Sequence, residues 1–211
     1  MSSFQDWSGD RLILMGILPE NIPINSHLVA NAAASGVDVI YVRTGRSMEP
    51  SAQQPQHNLP FIMNSRLKTQ DNALILNGWH FSESRINEIP PSRSEGKWIG
   101  ASVHSLEKAM LAQALGADYL IVGTIFSSGS HPDISPKGTG FLSEVCRNVK
   151  IPVIAIGGIT PENCAECISC GASGVAVLSG IFDAPNIEIA ASQFRNALDL
   201  AALNRTGKIA Q

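Results

Sequence analysis

Two pairs of small residues stand directly after apolar segments in the C-terminal half of the chain. The segment "IPVIAI" is followed by Gly157 and Gly158, and "GVAVL" is followed by Ser179 and Gly180. Residues without bulky side chains allow backbone N–H groups to approach an anion closely. The pattern therefore indicates two phosphate-binding loops, and the alternative is that the glycines only form tight turns.

Three histidines lie in or just after apolar segments, and imidazole is the side chain best suited to moving a proton near neutral pH. His80 occurs in "GWHF", His104 in "SVHSLE" and His131 in "SSGSHPD". Each also has a structural interpretation. His80 could pack at the mouth of a barrel, His104 could cap a helix or serve as a structural hydrogen-bond partner, and His131 could be a solvated loop residue.

An arginine, Arg43, follows the apolar segment "VDVIYV" and is a candidate for binding an acidic group. A guanidinium forms paired hydrogen bonds with a carboxylate, so a ligand carboxylate would suit this position. The alternative is an ion pair with Glu49 or Asp38.

The segment "CAECISC" places Cys164, Cys167 and Cys170 in C-x₂-C-x₂-C spacing, which also begins one kind of iron–sulfur motif. The fourth cysteine and the proline that follows it in that motif are missing. Three-residue spacing also puts the cysteines on one face of a helix, where free cysteine packs as a small apolar residue. We therefore predict no metal site here.

The elements that would position these residues follow from a repeated apolar pattern. Eight apolar segments are separated by helical or loop sequence, at residues 11–18, 37–43, 59–64, 78–81, 97–102, 118–123, 152–158 and 174–180. Helical patterns cover 105–117, 161–172 and 186–203. Buried strands that alternate with helices predict a single (β/α)₈ TIM barrel over residues 1–211, with a core from about 11 to 203. The alternative is an open doubly wound sheet, but no G-x-G-x-x-G follows an early strand.

One segment departs from the barrel pattern. Residues 44–58, "TGRSMEPSAQQPQHN", contain two prolines and three glutamines where the second helix should lie. We expect this segment to be a loop near the barrel mouth in place of that helix. Barrel enzymes bind their substrates at the C-terminal ends of the strands, and the loops after strands 7 and 8 often hold a phosphate.

Composition narrows the partners of the chain. The formal net charge is −3 and charged residues make up 16% of the chain, which argues against nucleic acid as a partner. No run of 18 apolar residues indicates a membrane span. The N-terminus lacks the features of a signal peptide, so we expect a cytoplasmic protein with reduced thiols. A homo-oligomer is compatible with these features.

Residues 97–183 resemble the thiamine phosphate synthase superfamily, in particular its TenI-like thiazole tautomerase branch. The resemblance rests on the combination of "SVHSLE", "IGGITP" and "GASGVAVLSG". It implies the same barrel and a small phosphate ester, a thiazole phosphate, as the ligand. It places the phosphate at Gly157, Gly158, Leu178, Ser179 and Gly180, and the remaining substrate contacts at Arg43, Asn64, His80, Ser102 and Thr124.

Two departures from the synthase pattern concern a metal. The synthases couple a pyrimidine pyrophosphate to the thiazole phosphate with a magnesium ion held by aspartates after strands 3 and 4. Here Ser65 and Arg85 stand at those positions. Magnesium prefers oxygen ligands, so we predict no metal site. The segment "SSGSHPD" after strand 6 stands where the resemblance places a lysine-bearing segment that binds pyrophosphate in the synthases.

The resemblance therefore favours the isomerase branch, which needs neither metal nor cofactor. That branch moves a proton on a thiazole carboxylate phosphate. One of its histidines corresponds to His104, and the position of a second is Thr124, a poor base. His131 lies in the same loop and could replace it, so His104 and His131 are the predicted catalytic residues. The alternatives are a synthase, and a non-catalytic relative that binds a phosphate ligand or regulates a partner.

Overall fold

The chain folds as a closed barrel of eight parallel strands arranged in chain order. The computed structural model describes residues 4–24, 26–43, 59–66, 76–90, 96–129, 133–205 and 207. The strands are β1 (Ile13–Leu18), β2 (Val39–Val42), β3 (Phe61–Asn64), β4 (Leu76–Phe81), β5 (Trp98–Val103), β6 (Tyr119–Gly123), β7 (Val153–Ile156) and β8 (Gly174–Val177). Each lies within or overlaps one of the eight apolar segments, and the predicted TIM barrel is confirmed.

Closure of the barrel comes from the pairing of β8 with β1. Ile13 aligns with Gly174 and Gly16 with Val177 in a parallel register. A Cβ atom on Gly174 would lie 2.2 Å from the backbone oxygen of Ile13, so the two strands approach here because residue 174 has no side chain. The pairing excludes the open doubly wound sheet.

Seven α-helices and one 3₁₀ helix are present in the described part of the chain. They are α1 (Phe4–Ser8), α2 (His27–Ala34), the 3₁₀ helix (Glu83–Glu88), α3 (Leu106–Ala114), α4 (Gly138–Asn148), α5 (Cys164–Ser169), α6 (Ser179–Phe182) and α7 (Ile187–Arg205). The three predicted helical patterns correspond to α3, α5 and α7. The start of α3 is fixed by Ser105, whose side chain accepts a hydrogen bond from the Lys108 backbone N–H.

Alternation along the strands creates two apolar layers. On β1, Ile13, Met15 and Ile17 belong to one buried cluster, whereas Leu14 and Leu18 belong to the other. Neighbouring strand residues point to opposite faces, so one cluster fills the barrel interior and the other lies between the strands and the helices.

Two further predictions concern the loop at residues 44–58 and the absence of a membrane span. The loop predicted in place of the second helix falls on residues 44–58, which lie outside the described ranges. Across the ranges that are described, no helix has the length and apolar character needed to cross a membrane.

The short N-terminal helix α1 contributes a ring to the barrel interior. Phe4 is fully buried, stacks on Tyr119 at a centroid distance of 4.4 Å and meets Trp98 edge-on at 5.2 Å. Trp98 and Tyr119 are the first residues of β5 and β6, so Phe4 covers the end of the barrel opposite the strand C-termini. The core limits predicted from the sequence began at residue 11 and left this contact out.

Replacing Phe4 with Ala should lower the free energy of unfolding by about 3–5 kcal/mol, because it removes a buried ring and leaves a cavity. Urea unfolding measures the change. Gln5→Ala, at the exposed neighbouring position on α1, is the control for loss of α1 alone. Equal stability of the two variants would show that the Phe4 ring does not support the barrel.

Candidate functional site

All five residues predicted to bind phosphate line one opening at the C-terminal end of the strands. The cavity has a volume of about 110 Å³ and is lined by Ile17, Arg43, Ser128, Ile156, Gly157, Gly158, Ile159, Ala176, Val177, Leu178, Ser179 and Gly180. The structure thus brings the end of β7 and the end of β8 to one place, as the two glycine-bearing segments predicted. Their role in phosphate binding remains a proposal.

The turn after β7 leaves no room for side chains. Gly157 and Gly158 have φ angles of +97° and +63°, which favour glycine. A Cβ atom on Gly158 would lie 2.3 Å from the backbone oxygen of Ser127. None of the described residues accepts a hydrogen bond from the Gly158 backbone N–H. Asn163 fixes the turn by donating to the Gly158 carbonyl at 2.9 Å.

A second, larger opening adjoins the first. Its volume is about 300 Å³, and it is lined by Ile17, Tyr41, Arg43, Asn64, Ser102, His104, Ile121, Gly123, Thr124, Ser128, Ile134, Ile156 and Gly157. The two openings share Ile17, Arg43, Ser128, Ile156 and Gly157. The predicted contacts Arg43, Asn64, Ser102 and Thr124 therefore lie beside the predicted base His104. The other predicted catalytic residue, His131, lies outside the described residues.

Arg43 is exposed at the boundary of the two openings. The predicted alternative of an ion pair with Asp38 is wrong, since Asp38 pairs with Arg11 at 2.8 Å and with Arg195 at 3.1 Å. Among the described residues no carboxylate pairs with Arg43, and Glu49 is not one of those residues. Arg43 is therefore placed to meet an anionic group of a ligand.

His80 does not line either opening but lies directly behind one of them. Its ring is fully buried, with Nε2 at 2.8 Å from the Ser102 hydroxyl and Nδ1 at 3.0 Å from the Tyr119 hydroxyl. Burial lowers the pKa of His80 to about 3, so the ring is neutral at physiological pH. His80 thus reaches the site through Ser102 and does not itself contact the cavity.

A second hydroxyl in the larger opening belongs to Tyr41. Asn64 donates its side-chain N–H to the Tyr41 oxygen at 3.3 Å, while its own Oδ1 accepts from the Arg66 backbone N–H at 3.0 Å. Burial raises the pKa of Tyr41, so its hydroxyl stays protonated. The Tyr41 ring lies against His80 at a centroid distance of 4.7 Å.

His104 is held by a carboxylate that sequence analysis missed. Glu83 accepts hydrogen bonds from the His104 backbone N–H and from Nδ1 of its ring, the latter at 3.1 Å. With Nδ1–H donated to Glu83, the other ring nitrogen, Nε2, carries the lone pair of a base. The sequence held one clue, because Glu83 follows β4, His104 follows β5, and neighbouring parallel strands end side by side.

Ser65 and Arg85, where the resemblance places metal-binding aspartates of the synthases, lie next to each other in this chain. Arg85 donates from Nη1 to the Ser65 hydroxyl at 3.2 Å and from Nε to Glu88 at 2.9 and 2.8 Å. The carboxylate of Glu88 is thus already paired with a cation, and a guanidinium stands where a magnesium ion would need an anionic oxygen. No group of three or more metal-ligating side chains occurs within the described ranges. The residues present do not fit a magnesium ion.

The cysteines lie apart from these openings. Cys164 and Cys167 are buried on α5, which packs against α7. Burial raises the pKa of Cys167 to about 12, so its thiol is neutral and packs as an apolar group.

The buried imidazole should make stability depend on pH. In the unfolded chain His80 binds a proton below its ordinary pKa of 6.5, whereas in the folded chain it does so only near 3. Protonation therefore favours unfolding, and the free energy of unfolding should fall as pH drops from about 6.5 toward 3, by up to about 1.4 kcal/mol per pH unit.

Urea unfolding between about pH 7 and pH 5 measures this slope. His80→Gln should reduce it, and His27→Gln, at an exposed position on α2, is the matched control. A slope that His80→Gln leaves unchanged would assign the pH dependence to other groups.

Comparison with known proteins identifies the family of the chain. A sequence profile described as thiamine monophosphate synthase matches residues 23–181. The thiamine-phosphate synthase of Chlorobium phaeovibrioides is 39% identical over 166 residues, 76% of each chain. That of Methanoculleus marisnigri is 34% identical over 192 residues, 84% of this chain and 89% of the relative. The thiamine phosphate pyrophosphorylase structure from Pyrococcus furiosus superimposes with a TM-score of 0.73 and 27% identity, covering 91% of this chain and 98% of that one. The chain therefore belongs to the thiamine monophosphate synthase family.

Proposed function

We propose that this chain is an enzyme that binds a thiazole phosphate ester across the two adjoining openings. The phosphate lies at the turn formed by Gly157 and Gly158 and at the end of β8. The heterocycle lies in the larger opening, near Ser102 and His104. The observation that carries this proposal is the continuity of the two openings through Arg43 and Gly157, because one ligand can occupy both.

The reaction that the geometry supports best is a metal-independent isomerisation of the thiazole ring. This reaction needs a base that removes a proton from carbon and an acid that returns it. The pair formed by Glu83 and His104 supplies a base with a defined tautomer at the edge of the larger opening. The contact between Arg85 and Ser65 supports a reaction without magnesium.

Coupling of a pyrimidine pyrophosphate to the thiazole phosphate is the second candidate. The names of the curated relatives support coupling more directly than isomerisation, and they do not distinguish a TenI-like branch. Both reactions use a thiazole phosphate ester, so the binding proposal is common to them.

Replacing His104 with Gln should reduce isomerase turnover by about 10²–10⁴-fold, the usual contribution of a positioned general base. Glu83→Gln should cause a smaller loss, because a neutral amide can still orient the ring but does not stabilise the protonated imidazole. Exchange of deuterium from solvent into thiazole carboxylate phosphate, followed by NMR, measures both. Glu107→Gln, which removes an exposed carboxylate from the adjacent helix α3, is the matched control.

The same preparations decide between the two reactions. We expect no thiamine phosphate from pyrimidine pyrophosphate and thiazole phosphate, with or without magnesium. Formation of thiamine phosphate together with an absence of deuterium exchange would establish coupling and overturn isomerisation. Exchange that His104→Gln leaves intact would show that another residue is the base.

A further inference from the structure

The Ser102 hydroxyl in the larger opening is connected to a hydrogen-bonded chain that runs into the barrel interior. The chain passes from Ser102 Oγ to His80 Nε2 at 2.8 Å, and from His80 Nδ1 to the Tyr119 hydroxyl at 3.0 Å. His80 is fully buried and so is Tyr119, whereas Ser102 is partly exposed to the cavity. The interior end of this series of hydrogen bonds is therefore shielded from water, and its outer end, the Ser102 hydroxyl, lies at the larger opening.

The direction of these hydrogen bonds follows from counting donors and acceptors. A neutral imidazole has one N–H and one lone pair. Among the described residues, Tyr119 has His80 as its one recorded hydrogen-bond partner. If Nδ1 carried the proton, the Tyr119 hydroxyl would accept that bond and its own O–H would be a buried donor without an acceptor, which is unfavourable.

The favoured arrangement is the opposite one. Tyr119 donates its O–H to Nδ1, which leaves the proton of His80 on Nε2. Nε2–H then donates to Ser102 Oγ. Because that oxygen accepts from His80, the Ser102 O–H is left to donate into the larger opening.

The Tyr41 hydroxyl also donates into the larger opening, for a reason that does not depend on His80. Asn64 is fixed by the Arg66 backbone N–H on its Oδ1, so its NH₂ group faces Tyr41 and donates to the phenolic oxygen. Within the described residues, Tyr41 has no other recorded hydrogen-bond partner, so its O–H also points to the cavity it lines. Ser102 and Tyr41 therefore present two neutral hydroxyl donors to the opening that Arg43 also lines.

We propose that Tyr119 and His80 are positioning residues that hold the Ser102 hydroxyl as a hydrogen-bond donor, so that the larger opening selects a ligand bearing a carboxylate. Neither residue touches the ligand, and both act through Ser102. Two such hydroxyl donors, in an opening that Arg43 also lines, match the lone pairs of a carboxylate. The identity of the phosphate ester, but not the orientation of the hydrogen bonds, rests on the proposed function.

The first experiment needs no ligand. ¹⁵N NMR of the imidazole nitrogens in the free protein reports which ring nitrogen of His80 is protonated, and His80→Gln assigns the signal. We expect the Nε2–H tautomer in the unaltered chain. In Tyr119→Phe, where Nδ1 loses its donor, we expect a mixture or the Nδ1–H tautomer. An Nδ1–H tautomer in the unaltered chain would overturn the proposal, whether or not the variant folds.

The second experiment measures ligand selection by calorimetry. Thiazole carboxylate phosphate is compared with thiazole phosphate, the same ester without the carboxylate. We expect the unaltered chain to bind the carboxylate ester more tightly by about tenfold or more, the usual effect of a hydrogen bond to a charged group. Tyr119→Phe and Ser102→Ala should both remove most of this preference, and Tyr119→Phe, which alters no residue that lines the opening, should change the affinity for thiazole phosphate little. Ile154→Val, a conservative change in the same interior cluster, is the control for altered packing.

The outcomes separate this inference from the proposed function. If Tyr119→Phe still binds the carboxylate ester more tightly than thiazole phosphate, Tyr119 does not position Ser102, even if both esters bind. If neither ester binds to the unaltered chain, the proposed function and the selection of a carboxylate both fail. The Nε2–H tautomer and its loss in Tyr119→Phe would in that case still support Tyr119 as the residue that orients Ser102.

Discussion

Parallel closure of the sheet is the constraint on which the rest of this structure depends. Because β8 pairs with β1 and every strand runs in the same direction, all eight C-terminal ends meet at one rim. Residues as distant in sequence as Arg43 and Gly180 thereby line one opening. At the other end of the barrel, Phe4 packs against Trp98 and Tyr119, the first residues of β5 and β6.

The interior of the barrel adds a second constraint, which is that its polar groups must be paired with one another. A buried unpaired donor or acceptor costs about 1–3 kcal/mol. The Tyr119 hydroxyl and Nδ1 of His80 are hydrogen-bonded to each other, and the second ring nitrogen of His80, Nε2, is hydrogen-bonded to the Ser102 hydroxyl. Glu83 and His104 form a hydrogen-bonded pair at the rim, where contact with solvent reduces the cost of leaving a polar group unpaired. The site thus combines a hydroxyl held from the interior with an imidazole held by a carboxylate at the edge.

Arg85 stands where the resemblance places a metal-binding aspartate of the synthases, and its contacts are those of a cation. A single guanidinium bridges Ser65 and Glu88, and so joins the ends of β3 and β4 without an ion. The exposed ion pair itself contributes little to stability. Its consequence is chemical, because a fixed positive charge at this point of the rim repels a second cation and attracts an anion.

Much of the fold was predictable from the sequence, because a strand buried on both faces consists mainly of apolar residues. All eight strands were predicted from such segments. The turn at Gly157 and Gly158 was also predictable, since two glycines after such a segment have few structural explanations. Glu83 and Phe4 were not found, because their roles depend on neighbours brought close by closure of the barrel. The same holds for Tyr119, which appears in the sequence as an ordinary strand residue and acquires its role from His80, 39 residues earlier.

The most direct test of this account is a crystal structure of the protein with thiazole phosphate in the presence of magnesium. The account predicts the phosphate within hydrogen-bond distance of the Gly158 backbone N–H and close to Ser179 and Gly180. It also predicts the heterocycle beside Ser102, with Arg85 still bonded to Ser65. A magnesium ion bound at Ser65 with Arg85 displaced, or a phosphate bound away from the turn after β7, would contradict it.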